Sequence, residues 1–212
     1  MVVGDISTGT ELVVVGAGPG GYVAAIRAAQ LGVDTTLVEK EAYGGTCLNV
    51  GCIPSKAYIT AADTAHGAGS AENMGIHADP AVDMSRTKAW KDEVVDQLTG
   101  GVEKLCKANG VNLVEGRAEF AGPNKVRVAH QGEGQGSESL EFEHAIIATG
   151  SRPTAVPFEF DGEHIISSTG ALALESVPDR LLVVGAGYIG MELSTAFAKL
   201  GADVTVVEML DS

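Results

Sequence analysis

Basic side chains are scarce in this chain: 14 lysines and arginines stand against 28 aspartates and glutamates, a formal net charge of −14 over 212 residues. A surface this negative repels nucleic acid and anionic membranes, which argues against both as partners. The excess suits a protein of high-salt cytoplasm, where salt screens self-repulsion; an ordinary acidic protein is the alternative. Long apolar runs are also missing. No stretch approaches the roughly 20 residues of a membrane span. Residues 1–11 are polar, with neither the basic start nor the apolar core of a secretory leader. A cytoplasmic location is the expectation. Three cysteines are too few for a disulfide framework, and Cys106, alone in a helical pattern, reads as buried and inert. The five histidines (His66, His77, His130, His144, His164) show no ligand spacing with one another or with the cysteines, so no metal site is expected.

Glycine, by contrast, is plentiful. With 28 glycines and 45% hydrophobic residues, the chain suits an α/β protein with many tight strand-to-helix turns, as one large domain or two small ones. Residues 12–15 (LVVV) read as a fully buried parallel strand. They run into Gly16-Ala17-Gly18-Pro19-Gly20-Gly21, then a helix over 22–31 ending at Gly32, then a strand over 35–38 that finishes at Glu39. This is the dinucleotide-binding βαβ pattern. Gly16 allows the tight turn, Gly18 lets the backbone approach a pyrophosphate, and Gly21 lets helix and strand pack closely. The helix start offers oriented N–H groups to phosphates, and Glu39 is placed to accept from a ribose hydroxyl.

The pattern returns at one constant offset of 169 positions: strand 181–184, Gly185-Ala186-Gly187-Tyr188-Ile189-Gly190, helix 191–200, Gly201, strand 203–207 and Glu208. A lone GxGxxG says little. Two complete units, each with strand, helix and terminal acid, point to two dinucleotide sites. Glu208 would repel a 2′-phosphate, and Met209-Leu210-Asp211 supply no arginine to receive one, so the second site is expected to take NAD rather than NADP.

Between the units, residues 55–66 read as a helix and 67–80 as a loop. Residues 87–109 read as a helix with Trp90, Val94, Leu98, Val102 and Leu105 on one face and Gly110 as C-cap, weakened in the middle by Gly100-Gly101. Strands are expected over 111–114, 125–129 and 139–142, the last two antiparallel, with 131–136 a flexible connection. Residues 145–148 read as a further buried strand ending at Thr149-Gly150-Ser151. Residues 152–178, with Pro153, Pro157 and Pro178, read as a crossing between domains. The expected domains are 1–151 and 152–212.

The most informative stretch is Gly44-Gly45-Thr46-Cys47-Leu48-Asn49-Val50-Gly51-Cys52-Ile53-Pro54-Ser55-Lys56. Cysteines this close, without a disulfide framework, are more often catalytic or metal-binding than structural. In an ordinary helix, residues five apart rise about 7.5 Å, whereas a disulfide needs Cα atoms roughly 4.4–6.8 Å apart. A bridge therefore requires a distorted turn, which Gly51 permits and Pro54 helps to fix. Two unpaired, buried cysteines are the alternative.

With these motifs, the Ala148-Thr149-Gly150 segment and Ser167-Ser168-Thr169-Gly170, the chain resembles the FAD-dependent pyridine nucleotide–disulfide oxidoreductases along essentially its whole length. Pro54-Ser55-Lys56 is similar to the branch acting on lipoyl groups; glutathione-reductase-like sequences place lysine where Ser55 stands. The resemblance implies a Rossmann-like FAD-binding domain, incomplete here, followed by the first βαβ unit of a Rossmann-like NAD-binding domain. It implies that Cys47 is the interchange thiol of a redox disulfide and that Cys52 faces the flavin, with Lys56 close to the isoalloxazine. Gly16, Gly18, Gly21, Glu39, Thr46, Ala118, Thr149, Gly150 and Ser151 would contact FAD. Gly185, Gly187, Gly190, Glu192 and Glu208 would serve the nicotinamide nucleotide. The implied activity is oxidation of protein-bound dihydrolipoyl groups, or free dihydrolipoamide, by NAD⁺ in a homodimer. Other readings are a reductase of a low-molecular-weight disulfide and a non-catalytic flavin- or nucleotide-binding module. Mercuric reductase is less favoured, since no additional N-terminal metal-binding cysteine pair is present. Family members are more than twice this length, and their His–Glu acid–base pair has no counterpart among these histidines. The chain therefore reads as an N-terminal portion, expected to hold FAD weakly and to turn over negligibly alone.

Overall fold

A computed structural model describes residues 7–130 and 136–210. Most of the expected flexible connection (131–135), the first six residues of the polar start and Asp211 lie outside the described residues. The elements follow in chain order as β1 (Ser7–Val15), α1 (Pro19–Gln30), β2 (Thr35–Glu39), α2 (Gly45–Val50), α3 (Cys52–Gly69), α4 (Met84–Ala108), β3 (Asn112–Glu115), β4 (Arg117–Gly122), β5 (Lys125–Ala129), β6 (Ser137–Ile147), α5 (Ser168–Ala171), β7 (Arg180–Val184), α6 (Tyr188–Lys199) and β8 (Asp203–Val207). They fall into two compact units, 1–49 with 96–153, and 50–95 with 154–212.

The first unit is built on a six-stranded sheet in the order β3-β2-β1-β6-β5-β4. β1 lies parallel to both β2 and β6, which is why its four apolar residues, Leu12 to Val15, are all buried as expected. β5 returns antiparallel to β6 with Lys125 opposite Glu141 and Ala129 opposite Ser137. Val13, Val15, Val38, Val126, Val128, Leu140 and Phe142 form the core. α1 opens on Pro19, whose fixed φ is preset for a first helical residue, and closes before Gly32 at φ +86°.

Several expectations need correction. Residues 139–142 and 145–148 are not two strands: Glu143-His144 contains no breaker, and β1 pairs with β6 continuously from Ser139 to Ile147. Nor is the end of β6 buried. Ile146 is 37% and Ile147 68% exposed, because β5 stops pairing at Glu141 and covers no more of that edge. β4 was not anticipated, since Arg117-Ala118-Glu119-Phe120 lacks a run of β-branched residues; its pairing with β5 creates it. α3 continues through Gly67 to Gly69, into the expected loop, where residues 72–74 form a 3₁₀ turn. In α4 the buried positions are Met84, Lys91, Val102 and Cys106, while Trp90, Leu98 and Leu105 face solvent. The expected stripe is thus rotated on the helix. Gly100-Gly101 does not interrupt α4, and Gly110 does turn left-handed at its end, φ +79°.

The second unit has its own core of Tyr58, Ala62, Met84, Leu172, Leu193, Ala196 and Phe197. The Tyr58 and Phe197 rings meet edge-on at 6.3 Å, joining α3 to α6. β7 and β8 form a parallel pair, Arg180 opposite Asp203 through Val184 opposite Val207. Tyr58 Oη and the buried Lys91 Nζ both donate to the Leu172 carbonyl, at 3.0 and 3.1 Å, fixing α3 and α4 to the end of α5.

Candidate functional site

The two glycine loops repeat one construction. Gly16, at φ +99°, donates its N–H to Val38 O at 2.8 Å; Gly185, at φ +105°, donates to Val207 O at 2.8 Å. A Cβ on Gly21 would overlap the Gly16 carbonyl oxygen, and one on Gly190 the Gly185 carbonyl oxygen, so only glycine lets each helix start so close to its strand. Gly18 and Gly187 are extended residues at the starts of α1 and α6. The acid ending each second strand does more than the sequence reading assigned to it. Glu39 Oε2 accepts from Ala17 N at 2.6 Å and its Oε1 from Glu41 N at 2.8 Å. Glu208 accepts from Ala186 N at 2.8 Å, Met209 N at 2.6 Å and Leu210 N at 2.9 Å. These N–H groups, Leu210 foremost, hold the Glu208 carboxyl below its ordinary value. Each acid therefore braces its own loop, 22 residues upstream in both copies. The constant offset between the motifs was the signal that could have revealed this shared brace.

The cysteine turn is built onto the first loop. Gly44 N–H donates to Ala17 O at 2.8 Å, and a Cβ on Gly45 would stand 2.7 Å from Gly18 Cα. Thr46 and Cys47 follow at once in α2, Thr46 exposed and Cys47 half-buried. Thr149 Cα lies 3.3 Å from where a Gly16 Cβ would be, which brings the 149–151 turn, with Gly150 at φ +71°, to the same loop. Gly116 N–H donates to the Glu39 carbonyl at 2.7 Å, drawing the start of β4 and with it Ala118 to the end of β2. Neither Gly116 nor Asn49, whose amide spans this turn, was singled out from the sequence.

In the second unit, Cys52 opens α3 and is exposed. Ser55 Oγ lies 3.1 Å from Cys52 O and 3.3 Å from Glu192 Oε2, and Lys56 Nζ pairs with both Glu192 oxygens at 2.6 and 2.7 Å. The hydrogen bond from Lys56 leads the effects that hold the Glu192 carboxyl below its ordinary value. Lys56 is thus an anchored cation rather than a loose surface lysine, and Glu192 is its counter-ion, on α6 just past Gly190. Cys106 is fully buried and burial pushes its thiol up, which disfavours the thiolate needed for exchange. Among the described residues, no group of three His, Cys, Asp or Glu side chains is arranged to hold a metal ion, and no helix is long and apolar enough to cross a membrane.

A doubly used strand–glycine loop–helix, with a cysteine turn locked to the first copy, defines a two-nucleotide redox architecture. The chain belongs to the pyridine nucleotide-disulphide oxidoreductase family, which it matches over residues 10–212. Its fold is that of a Rossmann FAD-binding domain followed by a partial second Rossmann unit, and membership carries the general use of FAD and NAD. Among its relatives, dihydrolipoyl dehydrogenase 2 of Haloarcula marismortui is 76% identical over 212 residues, which is 100% of this chain and 45% of that protein. The dihydrolipoyl dehydrogenase of Haloferax volcanii is 75% identical with the same coverage. Among solved structures, LpdA from Mycobacterium tuberculosis superposes with a TM-score of 0.87 at 27% identity, over 96% of this chain and 45% of that one. The chain therefore spans a little under half the length of these relatives.

Proposed function

We propose that these residues belong to an NAD-dependent flavoprotein that oxidises dihydrolipoyl groups through a Cys47–Cys52 redox disulfide. The observation that carries the reading is the lock between the Cys47 turn and the first glycine loop, Gly44 N–H to Ala17 O with Gly45 stacked on Gly18. It supports a thiol held beside a nucleotide cofactor.

The chemistry of the donor set fits FAD. Gly18 leaves room in front of the α1 N-terminus, where a Cβ would meet nothing nearer than Gly45 Cα at 3.9 Å, while Gly16 and Gly21 let the loop and helix pack close behind it. Glu39, Thr46, the Ala118 backbone and Thr149, Gly150 and Ser151 would complete its contacts, and Gly185, Gly187, Gly190 and Glu208 would hold NAD. FAD, when bound, supplies the two-electron relay between the dithiol and NAD⁺. The chain's own part is thiol–disulfide exchange. A dihydrolipoyl thiolate attacks Cys47 Sγ, the Cys47–Cys52 bond breaks, and Cys52 leaves as the thiolate. The second lipoyl thiolate then attacks the lipoyl sulfur of the mixed disulfide, which closes the lipoyl ring and releases Cys47 as a thiolate. The lipoyl group is oxidised by two electrons and the cysteine pair is reduced by two. Lys56, paired with Glu192, would supply a positive charge to the bound flavin.

The partner is a lipoyl-bearing protein or free dihydrolipoamide, and the enzyme works as a homodimer in the cytoplasm. Its acidic excess suits a high-salt interior. The test is turnover of the FAD-loaded holoenzyme with NAD⁺ and dihydrolipoamide in high salt, against glutathione and bis-γ-glutamylcystine couples. Preference for dihydrolipoamide is expected; a higher kcat/KM with either alternative would refute the substrate assignment.

A further inference from the structure

Two ion pairs join α3 to α6 inside the second unit. Lys56 Nζ meets the two Glu192 oxygens at 2.6 and 2.7 Å, and Lys199 Nζ meets Asp63 Oδ1 at 2.5 Å. In both, the α6 residue lies 136 positions after its α3 partner, so the helices run parallel in one register. Within each helix the two charges stand a heptad apart, on one face and about 10.5 Å along the axis. Their polarity is reversed: α3 offers a cation and then an anion, α6 an anion and then a cation. Between the pairs, the Tyr58 and Phe197 rings meet edge-on, and Ala62 and Ala196 are buried. The reversal disfavours other registers. Sliding α6 by a heptad sets Lys56 against Lys199 in one direction and Asp63 against Glu192 in the other. Sliding it by one turn, about four residues, sets Lys56 against Ala196 or Tyr188 and leaves it no carboxylate. Charges on paired helices fix register through the mispairings they forbid.

We infer that Asp63 and Lys199 are positioning residues for Lys56: their ion pair, a heptad behind the first and of opposite polarity, locks the register of α3 on α6 and so seats the Lys56 cation on Glu192. Asp63 is 52% and Lys199 33% exposed, so the pair adds little stability of its own. What it supplies is alignment. Lys56 and Asp63 ride on one helix, Glu192 and Lys199 on the other, so a slip that opens the second pair also draws Glu192 off Lys56. The lock stands on these contacts alone; its consequence, a fixed cation for the flavin, rests on the reading above.

The test is competitive labelling of lysines in the full-length enzyme with trace acetic anhydride, read by peptide mass spectrometry as the Lys56 rate relative to exposed Lys104. It is run on the FAD-loaded holoenzyme and on the same protein stripped of FAD. In the stripped protein, Lys199→Asp sets two carboxylates against each other. By its field alone the new negative charge favours the protonated Lys56 amine and slows labelling, whereas a slipped register frees the amine and speeds it. An exposed pair protects its amine by at most about fivefold, and a rise of about two- to fivefold is expected. The charge swap Asp63→Lys with Lys199→Asp restores an attractive pair and should return Lys56 to its original rate. Lys199→Met removes the attraction without repulsion, so it carries the test where Lys199→Asp folds poorly, and Lys56 labelling should rise there too. Unchanged or slower labelling in a folded single variant, or a swap that stays as fast as Lys199→Asp, would overturn the inference. FAD should slow Lys56 labelling in the unsubstituted enzyme. Equal rates with and without FAD would overturn the placement of Lys56 beside the flavin, while the lock is decided in the stripped protein.

Discussion

Two adjacent glycines in the first loop should respond to alanine in opposite directions. A Cβ on Gly21 overlaps the Gly16 carbonyl oxygen and sits 3.3 Å from Ala148 Cβ, and neither neighbour is the end of a flexible side chain. Gly21→Ala must push α1 off β1, an overpacking cost of about 1–3 kcal/mol. Gly20, one residue earlier in the same helix, has nothing within 4 Å of its would-be Cβ. There alanine only stiffens the unfolded chain and improves helix propensity, a gain of up to about 1 kcal/mol. The two variants should therefore differ by roughly 1–4 kcal/mol, which at a urea slope of about 2 kcal/mol/M separates their midpoints by about 0.5–2 M. Urea unfolding followed by circular dichroism measures this, with FAD retention as the second readout. Gly21→Ala should lose FAD and Gly20→Ala should keep it. Coincident midpoints, or Gly20→Ala as the weaker of the two, would refute the close-packing account of the loop.

The cysteines should be spectroscopically unequal: after reduction, Cys47→Ser should keep a long-wavelength thiolate–flavin absorbance that Cys52→Ser lacks, and identical spectra would reverse or void their roles. The Glu192 carboxyl is depressed below its ordinary 4.5, chiefly by the Lys56 hydrogen bond. Its pairing therefore contributes fully above that pH and is lost as pH falls through the depressed value. With Lys56 55% and Glu192 33% exposed, the pair is worth at most about 1 kcal/mol. Glu192→Gln should thus lower the melting temperature slightly at pH 7, less in concentrated salt, and not at all once the carboxyl is protonated; a difference that persists in acid would show another cause. Glu208 should favour NAD over NADP at least tenfold in kcat/KM, and Glu208→Gln should narrow the ratio, since the carboxylate charge opposes a 2′-phosphate.

The two glycine units could be read from the sequence because each glycine answers a local demand, a left-handed turn at Gly16 or a missing Cβ at Gly21, that no other residue meets. The terminal acids were placed correctly at the ends of β2 and β8, but their role as braces was hidden, because it depends on where the Ala17 and Ala186 N–H groups point. Propensity misjudged what tertiary pairing decides. β4 exists because β5 pairs with it, not because Arg117-Ala118-Glu119-Phe120 prefers a strand. β6 runs unbroken past His144 because β1 supplies a partner throughout. The stripe expected on α4 held at Val102 but failed at Trp90, Leu98 and Leu105 for a related reason. Trp90, Leu98 and Leu105 share a helical face, yet the face that packs holds Lys91 and Cys106, which no hydrophobic count would choose. The Lys56–Glu192 pair joins residues 136 apart in sequence, and no local pattern encodes such a contact.

The central claim is that Cys47 and Cys52 are one redox couple. Oxidised, FAD-loaded holoenzyme is treated anaerobically with one equivalent of dihydrolipoamide, quenched with an alkylating agent and mapped by peptide mass spectrometry. The account predicts a Cys47–Cys52 disulfide before addition and two newly alkylated cysteines after it. On partial reaction a lipoyl adduct should appear on Cys47 alone, with Cys106 unmodified throughout in the folded protein. A lipoyl adduct on Cys52, or a cysteine pair that stays unlinked before addition and unchanged after it, would contradict the account.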